Sequence, residues 1–519
     1  MHLLWICLRL PSLPLEALPL PGSGAAAVFE RKRGRKVLVC VNAAAEALGL
    51  APGLELGAAA ALAPGLKTFE RNPRAERAAL SALCAAAYGF SSRVTAQAAA
   101  PAPRMQAVWL EIGTSLKLFG GLDALTEKLR HTIEPLGYTF QAGVAPTMEA
   151  AYLLASREAP GTSAGDLKSF STTPAEPVLE LYALWPALGG LPLADLPVPD
   201  DTIAALAGSG LKKFGEVLAL PLDALARRFS PDFTDWLGRV GGRLPDARRY
   251  FSPPEHYRRH FELLGEVDTT EALRFPIRRL LAEFAAYLAA RDTGAPSFTL
   301  ELEHEGGAVR STSAGKEQNA AAAVTPLVIN LASPGRDAVH FGVLVHARLE
   351  RLAVPAPVRG IALVATRFAA VNVRQFDMFA ARGTEEHEWQ EVLDRLQARL
   401  GAAAVQGLGL YADHRPEKAW SRMPGAFPGA PDKKERPLCE AQVPAFKDDE
   451  RRPLWLLPQP RELGATPRCV RGPERIEGGW WDGGDVQRDY YTAETGEGAR
   501  LWVFRDRASG SWFLHGLWA

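Results

Sequence analysis

Paired cysteine is missing from this 519-residue chain. The five cysteines (Cys7, Cys40, Cys84, Cys439, Cys469) are an odd number without a C-x-x-C pair. That argues against a thiolate zinc site or a disulfide framework and suits a reducing cytoplasm. Net charge is missing too: 59 Lys and Arg offset 59 Asp and Glu. Any nucleic-acid surface must then be a local patch rather than a global field. No stretch reaches the ~18 apolar residues that a membrane span needs. The first twenty residues are apolar, but no charged n-region precedes them and Pro11 and Pro14 interrupt the run. They are expected to form a strand entering the fold, not a signal peptide. The length leaves room for three or four domains, each with an ample core.

The opening stretch, Trp5-Ile6-Cys7-Leu8-Arg9-Leu10-Pro11-Ser12-Leu13-Pro14-Leu15-Glu16, reads as a buried strand breaking at Pro11 into a turn and a helix start. In order and spacing it resembles the first motif of the Y-family (UmuC-like, translesion) DNA polymerases. The resemblance implies a metal-binding aspartate where this chain has Cys7, a second aspartate where it has Arg9, and two aromatics where it has Pro11 and Ser12. The strand Ala107-Val108-Trp109-Leu110-Glu111-Ile112, followed by Leu118-Phe119-Gly120-Gly121, resembles the motif whose Asp-Glu pair completes the two-metal site. With Leu110-Glu111-Ile112 fixing the frame, Gln106 and Ala107 fall on that pair. Two-metal phosphoryl transfer needs clustered carboxylates. Cys7, Gln106 and Ala107 offer none, and thiolate is a poor ligand for magnesium. Cys7 is expected to be a small buried side chain, and Glu111 to be structural. The metal site is expected to be empty of cofactors.

Two further stations repeat this. Residues Asn42 to Gly53 resemble a helix that holds the triphosphate through a tyrosine and an arginine; those positions are Ala43 and Glu46. A carboxylate there repels a polyanion. Ala159-Pro160-Gly161 resembles the segment whose lysine meets the triphosphate, and that position is Ala159. Around them, the segments 26–29 and 37–41 bracket the basic stretch Arg31–Lys36 as a β-hairpin, whose tip is solvated or contacts a phosphate. A long helix is expected over 72–90.

Downstream, 191–221 reads as a helix-hairpin-helix. Gly208, Gly210 and Gly215 let the backbone turn near a phosphate, amides at the second helix start act as donors, and Lys212 and Lys213 add charge. Residues 206–260 hold ten Lys and Arg against six Asp and Glu, which favours DNA-backbone contact over a merely solvated face. Segment 250–370 reads β-α-β-β-α-β, with basic ends at Arg278, Arg279 and Arg310, and a helix follows over about 386–400. Residues 412–453 are rich in Pro and charge and read as a linker. Leu454-Trp455-Leu456-Leu457 reads either as a sliding-clamp peptide lacking its leading glutamine or as the first strand of the tail. The last sixty residues alternate aromatics with Gly-rich turns, a small β-meander. Its aromatics form either an interaction surface or the core of that domain.

The expected fold is thus α+β multidomain: Y-family palm and fingers (1–170), helix-hairpin-helix thumb (171–248), β-α-β-β-α-β little finger with a trailing helix (249–410), flexible linker (411–458) and β-rich tail (459–519). The resemblance is closest to the non-catalytic ImuB branch. It implies a cytoplasmic adaptor in damage-induced mutagenesis that binds DNA without sequence preference. It would link the sliding clamp to an error-prone DnaE-type polymerase and the RecA-like ImuA. Two other readings stand beside it: an active polymerase using Glu111 and Asp123 as substitute carboxylates, and a DNA-binding repair factor without clamp or polymerase partners.

Overall fold

The computed structural model describes residues 3–19, 24–97, 106–156, 177–267, 269–304, 324–352, 356–371, 382–401, 404–411, 413–424, 452–453 and 455–518. The fold is α+β and multidomain, in two compact units, Met1–Ala398 and Arg399–Ala519.

In the first unit β1 (Trp5–Arg9) runs into a short helix after Pro11. A hairpin follows, β2 (Ala26–Lys32) and β3 (Arg35–Val41), with β4 (Lys67–Glu70) parallel to β2. Arg33 (φ 51) and Gly34 (φ 82) alone make its turn. Two positive φ values give the tight turn whose twist matches the flanking strands, so most of the basic stretch is strand. Helix Pro73–Tyr88 starts on Asn72, whose side chain accepts from the Arg74 and Ala75 amides. Then come β5 (Val94–Ala96), β6 (Ala107–Glu111), β7 (Gln141–Ala145) and helix Met148–Ala155.

The sheet order is β5-β6-β1-β7, antiparallel. Strand alternation divides its residues between two cores. Ile6, Leu8, Val108, Leu110 and Val144 pack with Leu80 and Leu83 of helix Pro73–Tyr88 and with Leu125 and Leu129 of helix Leu122–Ile133. Trp5, Cys7, Ala107, Trp109 and Ala145 face helix Met148–Ala155 and share their core with helices Leu184–Leu188, Phe214–Leu218, Leu222–Arg228 and Pro231–Val240.

A second sheet has the anticipated β-α-β-β-α-β order. It comprises β8 (Tyr257–Val267), helix Arg274–Ala290, β9 (Thr293–His304), β10 (Val324–Gly335), helix Ala338–Leu349 and β11 (Val358–Ala365). Its strands lie β10-β9-β11-β8, and β12 (Ala369–Ala370) pairs with the start of β9. Arg279 is not a basic tip. It is buried, 3.7 Å from Glu283 of its own helix and 4.2 Å over the Tyr138 ring. Arg310 lies outside the described residues.

The second unit holds the hairpin β13 (Gln406–Leu410)/β14 (Trp420–Pro424) and five antiparallel strands. These are β15 (Trp455–Leu463), β16 (Cys469–Gly478), β17 (Val486–Glu494), β18 (Arg500–Asp506) and β19 (Trp512–Leu517), in the order β15-β19-β18-β17-β16. Ile476, Tyr490, Trp502 and Phe504 form its core. The start of the supposed linker is therefore folded. Arg415, at its centre, is buried between Asp413 and Asp482; composition counts such charges as solvated, whereas here they are paired. Among the described residues no helix is long and apolar enough to cross a membrane.

Candidate functional site

Cys7 sits in the middle of the first sheet, opposite Trp109 of β6 and Gly143 of β7. It is completely buried, and burial pushes its thiol pKa well up, against the pull of Arg248 and Arg9. Ala107 lies opposite Arg9 and is equally buried. Over this face the Arg248 guanidinium lies 4.3 Å from the Trp109 ring centre. It pairs with Glu149 at 2.7 Å and Asp246 at 2.8 Å, and Glu149 also accepts from the Trp236 indole at 3.1 Å. Arg9 donates to Gln141 at 2.6 Å. Two fixed guanidinium groups beside a neutral thiol and a methyl group repel a divalent cation, and the nearby Glu149 is already committed to Arg248.

Gln106 takes no part in that face. Its amide donates to the buried Glu76, which also receives both arms of Arg71 at 2.8 and 2.9 Å. Arg71 reaches on to Glu30 of β2 at 3.4 Å. The position that the resemblance assigns to a metal ligand is here a tie between the β2-β3-β4 sheet and the β5-β6-β1-β7 sheet.

The substitute carboxylates fare no better. Glu111 is buried opposite Trp5, and its two oxygens accept from the Gly113 amide (2.8 Å) and the Thr114 hydroxyl (2.9 Å), closing the turn after β6. Asp123 is exposed in the first turn of helix Leu122–Ile133, which packs on the sheet face opposite to Cys7. Among the described residues no group of three or more His, Cys, Asp or Glu side chains is placed to hold a metal ion.

Ala43 and Glu46 are exposed on the one-turn helix Ala43–Glu46, whose start is capped by the Asn42 side chain. Ala159 lies outside the described residues.

In the helix-hairpin-helix segment, helix Asp200–Gly208 turns through Gly210 (φ +83) into helix Phe214–Leu218. The expected amide donors are not free. The Lys212 and Lys213 amides donate to the Glu216 carboxylate at 2.6 and 3.2 Å, which holds its pKa below the usual range. The amides of Gly210, Leu211, Phe214 and Gly215 donate to the carbonyls of Ala207, Leu206, Leu191 and Gly189. Gly215 is needed for close packing: a Cβ there would lie 2.9 Å from the Gly189 carbonyl oxygen. What can meet a phosphate is the charge of the exposed Lys212 and Lys213, with Arg227 and Arg228 exposed further along. Arg248, counted among the basic residues of this stretch, is spent on Glu149 and Asp246.

Leu454 lies outside the described residues. Trp455, Leu456 and Leu457 open β15, where Trp455 pairs with Leu517 and Leu456 with Gly516. The tail-strand reading of this segment is the one realised.

The chain is similar to several known proteins. Residues 21–156 match the impB/mucB/samB family. Protein ImuB of Caulobacter vibrioides, from strain NA1000 / CB15N and from strain ATCC 19089 / CIP 103742 / CB 15, is 28% identical over 501 residues. The alignment covers 91% of this chain and all of the relative. Among solved structures, DinB from Sulfolobus solfataricus and an insertion ternary complex of Dbh DNA polymerase each match at 13% identity. Each has a TM-score of 0.37 and covers 71% of this chain and 100% of the other.

Proposed function

We propose, starting from a chain that is ImuB-like over nearly its whole length and carries an impB/mucB/samB domain, that it is a non-catalytic adaptor of damage-induced translesion synthesis. It binds DNA without sequence preference in the cytoplasm, at the nucleoid. It brings the sliding clamp together with an error-prone DnaE-type polymerase and the RecA-like ImuA. The observation that carries this reading is the Cys7 face. The face holds a buried thiol, a methyl group and the Arg248–Glu149 pair, and at the positions that the resemblance assigns to metal ligands none of these supplies the free carboxylates that two-cation chemistry needs.

We propose a second candidate clamp contact beside Leu454–Leu457, of which Leu456 and Leu457 lie in β15. Gln375-Phe376-Asp377-Met378-Phe379 has the leading glutamine and the closing aromatic that the 454–457 segment lacks. It lies outside the described residues, between β12 and helix Arg382–Leu400. Such short apolar-aromatic peptides dock in preformed grooves.

Stepwise reconstitution tests the reading. Lesion bypass by the DnaE-type polymerase, loaded with clamp, is expected to require this chain and to be lost in Gln375→Ala/Phe379→Ala. Bypass of equal yield without the chain would contradict it.

A further inference from the structure

We infer that the tip of the β2–β3 hairpin is a two-stranded ribbon that enters the major groove of duplex DNA, where Lys32, Arg33, Arg35 and Lys36 meet phosphates on both walls. The assignment rests on the proposed DNA binding and names its surface. Arg31, Lys32, Arg33, Arg35 and Lys36 are all exposed, and no acidic residue interrupts them. At the root of this stretch Glu70 is committed to Arg31 at 3.3 Å and Glu30 to Arg71 at 3.4 Å. Among the described residues no carboxylate pairs with Lys32, Arg33, Arg35 or Lys36.

The register makes this charge costly. Lys32 stands directly opposite Arg35, and Arg31 opposite Lys36. Like charges facing each other across an antiparallel pair are destabilising, and of these four only Arg31 has an anion beside it. Phosphates bound along the ribbon would remove the repulsion. Strand alternation puts one pair on each face, so both faces are cationic, and the Arg33–Gly34 turn (φ 51 and 82) carries a further cation at the end. The ribbon is firmly rooted, with Ala27, Phe29, Leu38 and Val41 buried in one core.

These features select duplex over single-stranded DNA. The major groove is about 12 Å wide and admits a two-stranded ribbon. Three residues on each arm reach about 10 Å, enough for a groove about 8.5 Å deep. Single strands are held by aromatic side chains on which bases stack. The exposed stretch has none, and Phe29 is buried with Lys36 over its ring at 5.3 Å.

The open face of the second sheet is unsuited to phosphate. Phe261, Leu300 and Leu302 turn inward to the core, and the residues alternating with them, Glu262, Glu301 and Glu303 with Arg258 and His260, share the other face. Arg258 is spent on Glu301 at 3.1 Å and His260 on Glu303 at 3.0 Å. Three carboxylates against one arginine and one histidine repel a polyanion.

The test is anisotropy titration of the full chain with a labelled mixed-sequence duplex, and with a single strand of the same length, at several salt concentrations. Wild type is expected to bind the duplex more tightly than the strand. Lys32→Gln/Arg35→Gln/Lys36→Gln is expected to bind duplex about ten-fold or more weakly, whatever its sequence, with a log–log salt slope shallower by about 3. Its melting temperature should equal or exceed that of wild type, because the opposed charges are gone. Arg258→Gln is expected to bind like wild type. Unchanged duplex affinity and slope in the triple variant would overturn the inference and leave DNA binding to Lys212 and Lys213. A loss confined to the single strand, or tighter wild-type binding to it, would overturn the groove assignment. So would a loss in Arg258→Gln that the triple variant does not share. Failure of the wild-type chain to bind either DNA would remove the proposed DNA binding and the inference together.

Discussion

Cys7, buried in the middle of the first sheet, offers no carboxylate to a metal ion. Restoring the carboxylates in Cys7→Asp/Gln106→Asp/Ala107→Glu would bury new charge beside Glu149 and Glu76, both already paired. Each uncompensated buried charge costs about 3–5 kcal/mol, so we expect a lower melting temperature and no nucleotide incorporation; calorimetry and a radiolabelled-nucleotide assay check the two outcomes. His515 supplies a pH-dependent residue. It is buried, its Nδ1 is 2.8 Å from the Tyr490 hydroxyl, and burial above all depresses its pKa below 6.5, with Glu417 at 3.9 Å opposing. The folded unit holds the neutral ring, while the unfolded chain takes up a proton as pH falls below 6.5. Stability of the Arg399–Ala519 unit is therefore complete above that pH and is lost as pH falls toward the depressed folded value. Melting followed from pH 8 to 5 should show this decline, and His515→Gln should flatten it. Burial of Cys7 was legible from the apolar strand around it. The tie that runs from Gln106 through Glu76 and Arg71 to Glu30 was not, because its outer links join residues 30 and 41 positions apart.

At the scale of elements, periodicity carried the reading well. The strand-to-helix order of 250–370 and the helix over 72–90 follow from alternation and from Asn72 as a cap. The helix-hairpin-helix was also legible, but its donors were not. Glu216 lies one turn beyond Lys212 and Lys213, and only the folded geometry shows its carboxylate taking their amides. In the proposed DNA contact, side chains would therefore replace the backbone amides. Lys212→Glu/Lys213→Glu is expected to weaken DNA binding whatever the sequence and to make the log–log salt slope shallower by about 2; anisotropy titrations at several salt concentrations measure both. Gly215→Ala drives a methyl group toward the Gly189 backbone, and overpacking of that kind costs about 1–3 kcal/mol. Chemical denaturation should register the loss. Strand β15 taught the opposite lesson: a run of Leu and Trp suits a groove and a sheet equally well, and the strand emerges only from its pairing with β19.

For the whole molecule, charge balance hid more than it revealed. Zero net charge and a polar stretch after residue 411 suggested a passive linker, yet Arg415 and Lys418 from that stretch pair with Asp482 of the β16–β17 loop, and Glu417 pairs with Arg488 of β17. Compositional reasoning treats ionised side chains as solvated; it cannot see which of them find partners a few dozen residues on. The most direct test of this account is primer extension by the purified full chain alone, on a primed template with all four nucleotides and magnesium or manganese. The account predicts that the template is bound in a salt-sensitive way and that no primer is lengthened. Extension by even one nucleotide, lost on Glu111→Ala, would contradict it and restore Glu111 to a metal site.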